Sequence, residues 1–491
     1  MPIIIIICFT LYTVVLLVVT RLSVRRGQAT NETYFRANRK SPWMIVAYGG
    51  IGASLSGVTF MSVPGFVAGS AFTYFGVVLG NLLGYIIVAL LLLPLYYKLN
   101  LTSIYVYLNH RFGLWTQRTG SLFFFLSRLL GSALRMYLVV YVLYEFVFKA
   151  MGISFWVSAI VFIAIILLYT LHGGIRVIIW TDTLQTTFML AATFLTLYFL
   201  LRETGITFTG FITNASADGH TKLFETDWKA GNFYLKQVFS GIFLTIALNG
   251  LDQDMIQKNL SCKKLKDAQK NIFVLSLSLV IVNLLFLTLG AALLFYAKQT
   301  GFTLPDNPDA IYPAIAFNLS NVTVVLFIVG LLAAGYSSAD GTLTALTTVI
   351  CYDFLGFSNE QRKNGLIPVA ENLKIHVRKT VHIICALLFL GVIIAFKPFH
   401  DESLIKTVLN IAALSYGPLL GMFSFGLFTK WKIDPQHEKY ILIIAILAPI
   451  ISFLLKHFSL ELFSGYNIGF ELLIINGLMT FIGMCFLIKK S

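Results

Sequence analysis

Two adjacent serine hydroxyls and a carboxylate interrupt an apolar stretch, residues 331–353, that is long enough to cross a membrane. They belong to Ser337, Ser338 and Asp340 in the run LLAAGYSSADGTLTALTTVICYD. A charge at the centre of a membrane helix costs about 2.5–3.5 kcal/mol, so such groups tend to face a cavity, a partner or an ion. Ala334 shares a helix face with both serines. Because hydroxyl and carbonyl oxygens suit a hard cation, the stretch predicts a cation site, the alternative being close helix packing through small residues.

A second stretch combines hydroxyl groups with residues that break helices. Residues 48–65 read YGGIGASLSGVTFMSVPG, where Ser54, Ser56 and Thr59 stand among five glycines and one proline. Transporters bind ions and substrates where a membrane helix breaks, because the freed carbonyls become ligands. A kinked helix with only a packing role is the alternative. A second break is predicted at Asn249, in an apolar run that ends in LNGLDQDMIQKNL.

Isolated charges also lie inside predicted membrane segments. Arg128 and Arg135 are seven residues apart and fall on nearly one helical stripe, with Gly131 between them. Two cations on such a stripe require anions, which are either an acidic substrate or protein carboxylates in a structural ion pair. Arg128 could instead extend toward the cytoplasmic interface. Asp182 follows the loop HGGIRVIIWTD and is a further intramembrane charge.

A polytopic membrane fold is needed to hold these groups. The 491 residues are 57% hydrophobic and 12% charged, whereas soluble proteins average about 25% charged residues. Five cysteines show no metal-ligand spacing and are interpreted as free thiols. Thirteen apolar windows are predicted to span the membrane. They are residues 3–20, 44–69, 74–97, 121–148, 155–171, 177–201, 234–251, 272–297, 320–350, 380–396, 404–429, 439–456 and 468–488.

The distribution of basic residues supports this alternation. With the N-terminus outside and the C-terminus in the cytoplasm, 25 Lys and Arg residues fall in cytoplasmic segments and 9 on the outer side. The net charge of +14 therefore reflects membrane topology, and no nucleic-acid partner is predicted. The first segment lacks the pattern of a cleaved signal peptide and is predicted to remain as a helix. The chain is predicted to be a multi-pass protein of the cell (inner) membrane, in contact with lipid and without an obligate protein partner.

Several function classes lack their sequence patterns. The sequence contains no Walker A motif, no TVGYG filter, no HExxH and no GxSxG. ATP-driven transport and a potassium-type filter are therefore not expected. We predict that the protein is not an enzyme and carries no cofactor.

Six motifs resemble those of the sodium:solute symporter family, and they extend in order over residues 30–430. The motifs are ASLSGVTFMSVPG, KLNLTSIYVYLNHRFG, GGIRVIIWTD, LDQDMIQKNL followed by KDAQK, AGYSSADGTLTALTTVICYD, and GPLLGMFSFGLFTKW. Within the family, the nearest motifs are those of bacterial sialic acid and sugar symporters.

The resemblance implies an all-α LeuT-type fold with two inverted five-helix repeats. It divides the chain into an N-terminal helix and cytoplasmic loop (1–43), a first repeat (44–202), a second repeat (203–430) and two C-terminal helices (431–491).

The resemblance also implies a shared sodium site, and sodium is the only metal expected. Its oxygens would come from Gly52, Leu55, Ala334, Ser337 and Ser338. Gly52 departs from the usual Ala or Thr, which matters little because the contact is a carbonyl.

An acidic residue that supports a second sodium or proton site in some relatives matches Asp182. In this sequence the accompanying positions are Ser337, Asp340 and Gly341, where a carboxylate and a glycine replace two serines. If both carboxylates approach one another, a bound cation or a shared proton would relieve their repulsion. We therefore hypothesise a second cation or proton site at Asp182, Asp340 and Ser337.

The substrate candidates come from the same resemblance. Ser56 and Thr59 resemble the carboxylate-binding hydroxyls of the sialic acid transporters, Asn81 lies near a glutamine that those proteins use, and their substrate-binding arginine aligns with Gly131. The full candidate set is Ser56, Thr59, Asn81, Arg128, Gly131, Arg135 and Asn249.

The predicted function is sodium-coupled symport of a small solute by alternating access, the solute being a sugar acid, another small carboxylate or a sugar. The alternatives are a proton-coupled or mixed-cation symporter, a membrane sensor, and a membrane-embedded transferase.

Overall fold

A computed structural model describes residues 2–24, 30–357, 371–397, 404–466, 468–469 and 471–489. Within these ranges the chain forms helices and no β-strand. Two parts of the predicted cytoplasmic connections, residues 25–29 and 358–370, lie outside the described residues.

Twenty α-helices follow one another along the chain. The first ten are α1 (Pro2–Val24), α2 (Asn31–Arg36), α3 (Trp43–Ser54), α4 (Gly57–Ser70), α5 (Phe75–Ile87), α6 (Leu93–Lys98), α7 (Val106–Arg111), α8 (Leu114–Leu143), α9 (Phe155–Glu203) and α10 (Phe208–Ala217). The others are α11 (Tyr234–Thr245), α12 (Gln253–Leu260), α13 (Leu265–Thr300), α14 (Ile311–Leu319), α15 (Asn321–Val349), α16 (Glu371–Ala395), α17 (Leu404–Phe428), α18 (Ile441–His457), α19 (Ser459–Leu462) and α20 (Leu472–Cys485).

The described residues contain nine helices long and apolar enough to cross a membrane, or ten with the bent pair α3–α4. The 49-residue helix α9 covers two predicted spans, and Gly174 divides it with non-helical angles (φ 51°, ψ −148°). Only glycine adopts such angles without strain, and an added Cβ would lie 2.4 Å from the Tyr34 carbonyl oxygen. The remaining predicted spans, 234–251 and 468–488, fall on α11 with the turn that follows it and on α20. The count of thirteen and the orientation of the termini stay predictions.

The first helix break lies where the glycines and hydroxyls predict it. Helices α3 and α4 meet at an angle of 60°, and Leu55 between them is extended (φ −100°, ψ 111°). Ser56 then caps α4: its side chain accepts the backbone N–H of Thr59, and the Thr59 hydroxyl accepts the N–H of Ser56. This reciprocal capping box starts the new helix inside the protein.

The second break follows α11, in the segment that contains Asn249. A π-helical turn covers Ile246–Gly250, and Asp252 then caps α12 by accepting the backbone N–H of Met255 at 3.2 Å. Residues 252–260 were predicted to begin a cytoplasmic connection; most of them form α12, and every residue of α12 is buried within the protein. The carbonyls freed by the break accept hydrogen bonds at 2.9 Å from tyrosine hydroxyls, Gly250 from Tyr96 and Leu251 from Tyr105. These polar residues therefore lie inside the fold.

Helix α15 forms the centre of the protein. Every residue from Gly330 to Val349 is buried, and the helix packs against α8, α9, α3, α4 and α12. Small residues permit this close packing: a Cβ on Gly335 would lie 2.9 Å from the Val139 side chain, and one on Gly341 would lie 2.4 Å from an oxygen of Asp254. The motif AGYSSADG therefore faces helices from both halves of the chain.

Candidate functional site

The first helix break lies directly beside α15. A Cβ built on Gly57 would be 3.8 Å from the Cα of Gly335. In the described part of the chain, the carbonyls of Gly52 and Leu55 accept no hydrogen bond from backbone or side chain. The N–H of Gly52 donates to the Thr186 hydroxyl at 3.0 Å, and a Cβ on Gly52 would meet that oxygen at 2.5 Å. The hydroxyl of Thr186 thus takes the space that a larger residue would need.

The two adjacent serines of α15 are both buried. Ser338 is 3% exposed, and among the described residues its hydroxyl has no hydrogen-bond partner. The Ser337 hydroxyl donates to Asp182 Oδ1 at 2.6 Å, which leaves its lone pairs available. Ala334 lies one turn before Ser338 and is buried. Unpaired carbonyl and hydroxyl oxygens of this kind fit a small hard cation, because a buried polar atom without a partner is costly.

A cavity of about 140 Å³ adjoins the first break. Its lining includes six of the predicted substrate residues, namely Ser56, Thr59, Asn81, Arg128, Arg135 and Asn249. Gly131 does not line it and instead borders a smaller void of about 10 Å³ with both arginines. Ser56 and Thr59 accept backbone N–H groups at the start of α4, so their own hydroxyl protons can be donated to a ligand.

Tyr85 connects the two helix breaks across this cavity. Its hydroxyl donates to the side-chain oxygen of Asn249 at 3.0 Å and lies 3.3 Å from the Ser54 hydroxyl. Asn81 lies 3.0 Å from the Thr245 hydroxyl. With its amide oriented to satisfy its donors, the Asn81 nitrogen lies within hydrogen-bond distance of the Thr245 hydroxyl and of the carbonyls of Val77 and Gly241, so its two protons have acceptors within the protein.

The two arginines of α8 have different surroundings. Arg128 is 6% exposed and binds carboxylates of the second broken helix, with Nη1 3.3 Å from Asp252 and Nη2 in hydrogen-bond contact with Asp254. Asp252 also accepts the Tyr416 hydroxyl at 2.5 Å. Arg135 is partly exposed to the cavity, and no carboxylate of the described residues forms an ion pair with it. Its side chain can therefore neutralise an anion from outside the protein.

The carboxylates of Asp182 and Asp340 lie in one buried polar cluster but have different partners. Asp182 accepts the Ser337 hydroxyl and forms an ion pair of 2.9 Å with Lys258. Asp340 accepts the Tyr169 hydroxyl at 3.1 Å and the N–H of Gly341 at 2.6 Å. The same ammonium is 3.4 Å from Asp254, which joins this cluster to the carboxylates that bind Arg128.

Sequence reasoning missed Asp252, Asp254, Lys258 and Tyr85. The first three were assigned to a loop because they follow an apolar span. Asp254 and Lys258 are four residues apart, a spacing that pairs opposite charges on one helix face. That spacing was the available signal, whereas nothing in the sequence marks Tyr85 as a link between the breaks.

The profile of the sodium:solute symporter family matches residues 34–433. The sodium/sialic acid symporter of Proteus mirabilis is 27% identical to this chain, over 82% of this chain and 81% of the relative. The corresponding symporter of Aliivibrio fischeri is 26% identical, over 82% and 79%. The human sodium/iodide cotransporter is 23% identical, over 82% of this chain and 62% of its own length.

Solved structures with the same fold include a substrate-bound, outward-open sodium-coupled sialic acid symporter. It has a TM-score of 0.81 at 23% identity and covers 99% of both chains. The nucleobase-cation-symport-1 transporter Mhp1 follows with a TM-score of 0.59 at 16% identity, covering 93% of this chain and 94% of its own. The chain therefore shares an architecture with secondary transporters.

Proposed function

We propose that this chain, which belongs to the sodium:solute symporter family, imports a small organic anion together with sodium. The observation that carries the assignment of an anion is Arg135, a cation that lines the cavity with no carboxylate partner in the described part of the chain. An anionic solute would neutralise the positive charge of the Arg135 guanidinium.

Sodium would bind between the first break and α15. The ligands would be the carbonyls of Gly52, Leu55 and Ala334 and the hydroxyls of Ser337 and Ser338. The free carbonyls at the break and the unpaired Ser338 hydroxyl support this set. Because the ligands come from two separate elements, sodium would hold the broken helix against α15.

The solute carboxylate would bind at the start of α4. The hydroxyls of Ser56 and Thr59 can donate there, and the N-terminus of a helix favours negative charge. Arg135 lies on α8 one turn before Val139, which contacts Gly57 of the same helix start. Asn81 and Asn249 would donate to or accept from the rest of the solute, as both line the cavity.

The volume of the cavity and the names of the relatives favour a sugar acid or a smaller carboxylate as the solute. The cavity of about 140 Å³ is similar to a cavity of about 150 Å³ that binds benzene, so a nine-carbon sialic acid requires it to widen. Two relatives are named sodium/sialic acid symporters, which makes a sugar acid our first candidate. Alternating access would follow from movement at the two breaks, and sodium can shift that equilibrium only through its different affinity for the two states.

A thermal-shift screen of the purified protein tests this proposal. The compounds are a sialic acid, glucuronate, pyruvate and galactose, each in sodium chloride and in potassium chloride. We expect sodium alone to raise the unfolding temperature, and an acid to raise it further only in sodium, because a ligand of the native state stabilises it by linkage. Galactose is the uncharged control. Stabilisation by galactose but by no acid would refute the anion assignment, and equal behaviour in both salts would refute sodium coupling.

A further inference from the structure

One lysine lies where the second cation was expected. Lys258 on α12 is 3% exposed, and its ammonium nitrogen is 2.9 Å from Asp182 and 3.4 Å from Asp254. Asp182 is itself 1% exposed and takes the Ser337 hydroxyl on its other oxygen. The carboxylate that a second sodium would use thus already has a positively charged partner from within the protein.

The packing around Lys258 explains the two departures from the family pattern. Gly341 leaves room for Asp254, since a Cβ at position 341 would lie 2.4–2.8 Å from that carboxylate. Asp254 in turn lies between Lys258 and Arg128. The Asp340 carboxylate accepts hydrogen bonds from the Tyr169 hydroxyl and the Gly341 N–H. It also interacts electrostatically with the ammonium of Lys258. A glycine and a carboxylate therefore suit a site built around an ammonium group.

We propose that the ammonium group of Lys258 permanently occupies the second cation position, so that this symporter binds a single sodium ion at the shared site. A free cation at Asp182 would be repelled by the ammonium a few ångströms away, which excludes a second sodium there. This inference rests on the proposed function, because it concerns the number of sodium ions that the transporter uses.

Asp182 then acts on the shared site through Ser337. Lys258 pairs with one oxygen of the Asp182 carboxylate at 2.9 Å, and the other oxygen accepts the hydrogen bond of the Ser337 hydroxyl at 2.6 Å. The lone pairs of the Ser337 hydroxyl are thereby available for sodium. Asp182 is a positioning residue in this arrangement and does not touch the ion.

Equilibrium binding of radioactive sodium to the purified protein, counted per chain, tests the inference. We expect one sodium per wild-type chain and one for Lys258→Arg, which keeps the charge. Lys258→Met empties the position and leaves Asp182 and Asp254 facing it, so two sodium ions are expected. The double variant Lys258→Met with Asp182→Asn should return to one.

Two sodium ions in the wild type, or one in folded Lys258→Met, would overturn the inference. Asp182→Asn supplies a second readout if Lys258→Met does not fold: it should keep one sodium with affinity lowered about tenfold, while complete loss of binding would make Asp182 a direct ligand and contradict its positioning role. Absence of sodium binding in the folded wild type would instead refute the proposed function.

Discussion

The guanidinium of Arg128 lies 3.3 Å from the carboxylate of Asp252, so a helix of the first half of the chain holds the N-terminus of α12 in the second half. Asp252 is also the residue that caps α12. The ion pair therefore stabilises the second helix break at the point where its backbone changes direction. Arg135, seven residues along the same helix, makes no such contact among the described residues.

This contrast predicts that the same substitution lowers stability at Arg128 and leaves it nearly unchanged at Arg135. Arg128→Gln leaves the carboxylates of Asp252 and Asp254 buried with less compensation, and loss of one partner of a buried pair costs about 3–5 kcal/mol. Arg135→Gln should leave the unfolding temperature nearly unchanged. Thermal unfolding in detergent, without substrate, measures both. Equal stability of the two variants would contradict the structural role of Arg128.

Arg135→Gln should weaken binding of the anionic solute. A charged hydrogen bond contributes about 1.5–3 kcal/mol, so the dissociation constant should rise about 10- to 150-fold. Arg135→Lys should recover part of the affinity because it keeps the charge without the planar geometry. Substrate titration at saturating sodium is the measurement, and sodium affinity without substrate is the control that should not change.

Ser338→Ala should weaken sodium binding. The substitution removes a buried hydroxyl that has no partner among the described residues, so it should not lower stability, and the loss of one ligand should reduce affinity about tenfold. Ser158→Ala is a matched control, since Ser158 is equally buried on α9 and donates to the Ser154 carbonyl. If both variants bind sodium like the wild type, Ser338 is not a ligand.

Tyr85→Phe should reduce the coupling between sodium and substrate. The variant loses the hydrogen bond to Asn249 and the contact with Ser54, and a neutral hydrogen bond contributes about 0.5–1.5 kcal/mol. The ratio of substrate affinity in high sodium to that in low sodium should therefore be about 2- to 10-fold smaller than in the wild type. Tyr312→Phe, which removes a hydroxyl bound to Thr196 away from the cavity, should leave this difference unchanged.

Import of one sodium ion with one monovalent anion should move no net charge. Uptake into proteoliposomes should then not respond to an imposed membrane potential, whereas Lys258→Met, with a second sodium, should become electrogenic. A negative interior potential should accelerate uptake only in that variant, since one charge across about 100 mV corresponds to about 2.3 kcal/mol. Potential-driven uptake by the wild type would indicate a second sodium ion or an uncharged substrate.

Local patterns in the sequence were sufficient to predict several elements of the fold. The glycines and hydroxyls of residues 48–65 indicated a break, and Leu55 is the extended residue between α3 and α4. The small and polar residues of α15 indicated a helix that either packs closely or faces a cation, and residues 330–349 are all buried. Such features depend on composition and spacing within one segment, which is why sequence reasoning reached them.

Contacts between residues far apart in the sequence could not be predicted from such local patterns. The charges in LDQDMIQKNL had the composition of a loop, and only packing against α8, α9 and α15 made them the buried partners of Arg128 and Asp182. The sequence by itself led to the hypothesis that a bound cation or a shared proton compensates Asp182 and Asp340 if they approach one another, because buried carboxylates require compensation. Only the tertiary structure decided that Lys258 forms an ion pair with Asp182, because the ammonium comes from a residue 76 positions away, and no local pattern encodes that approach.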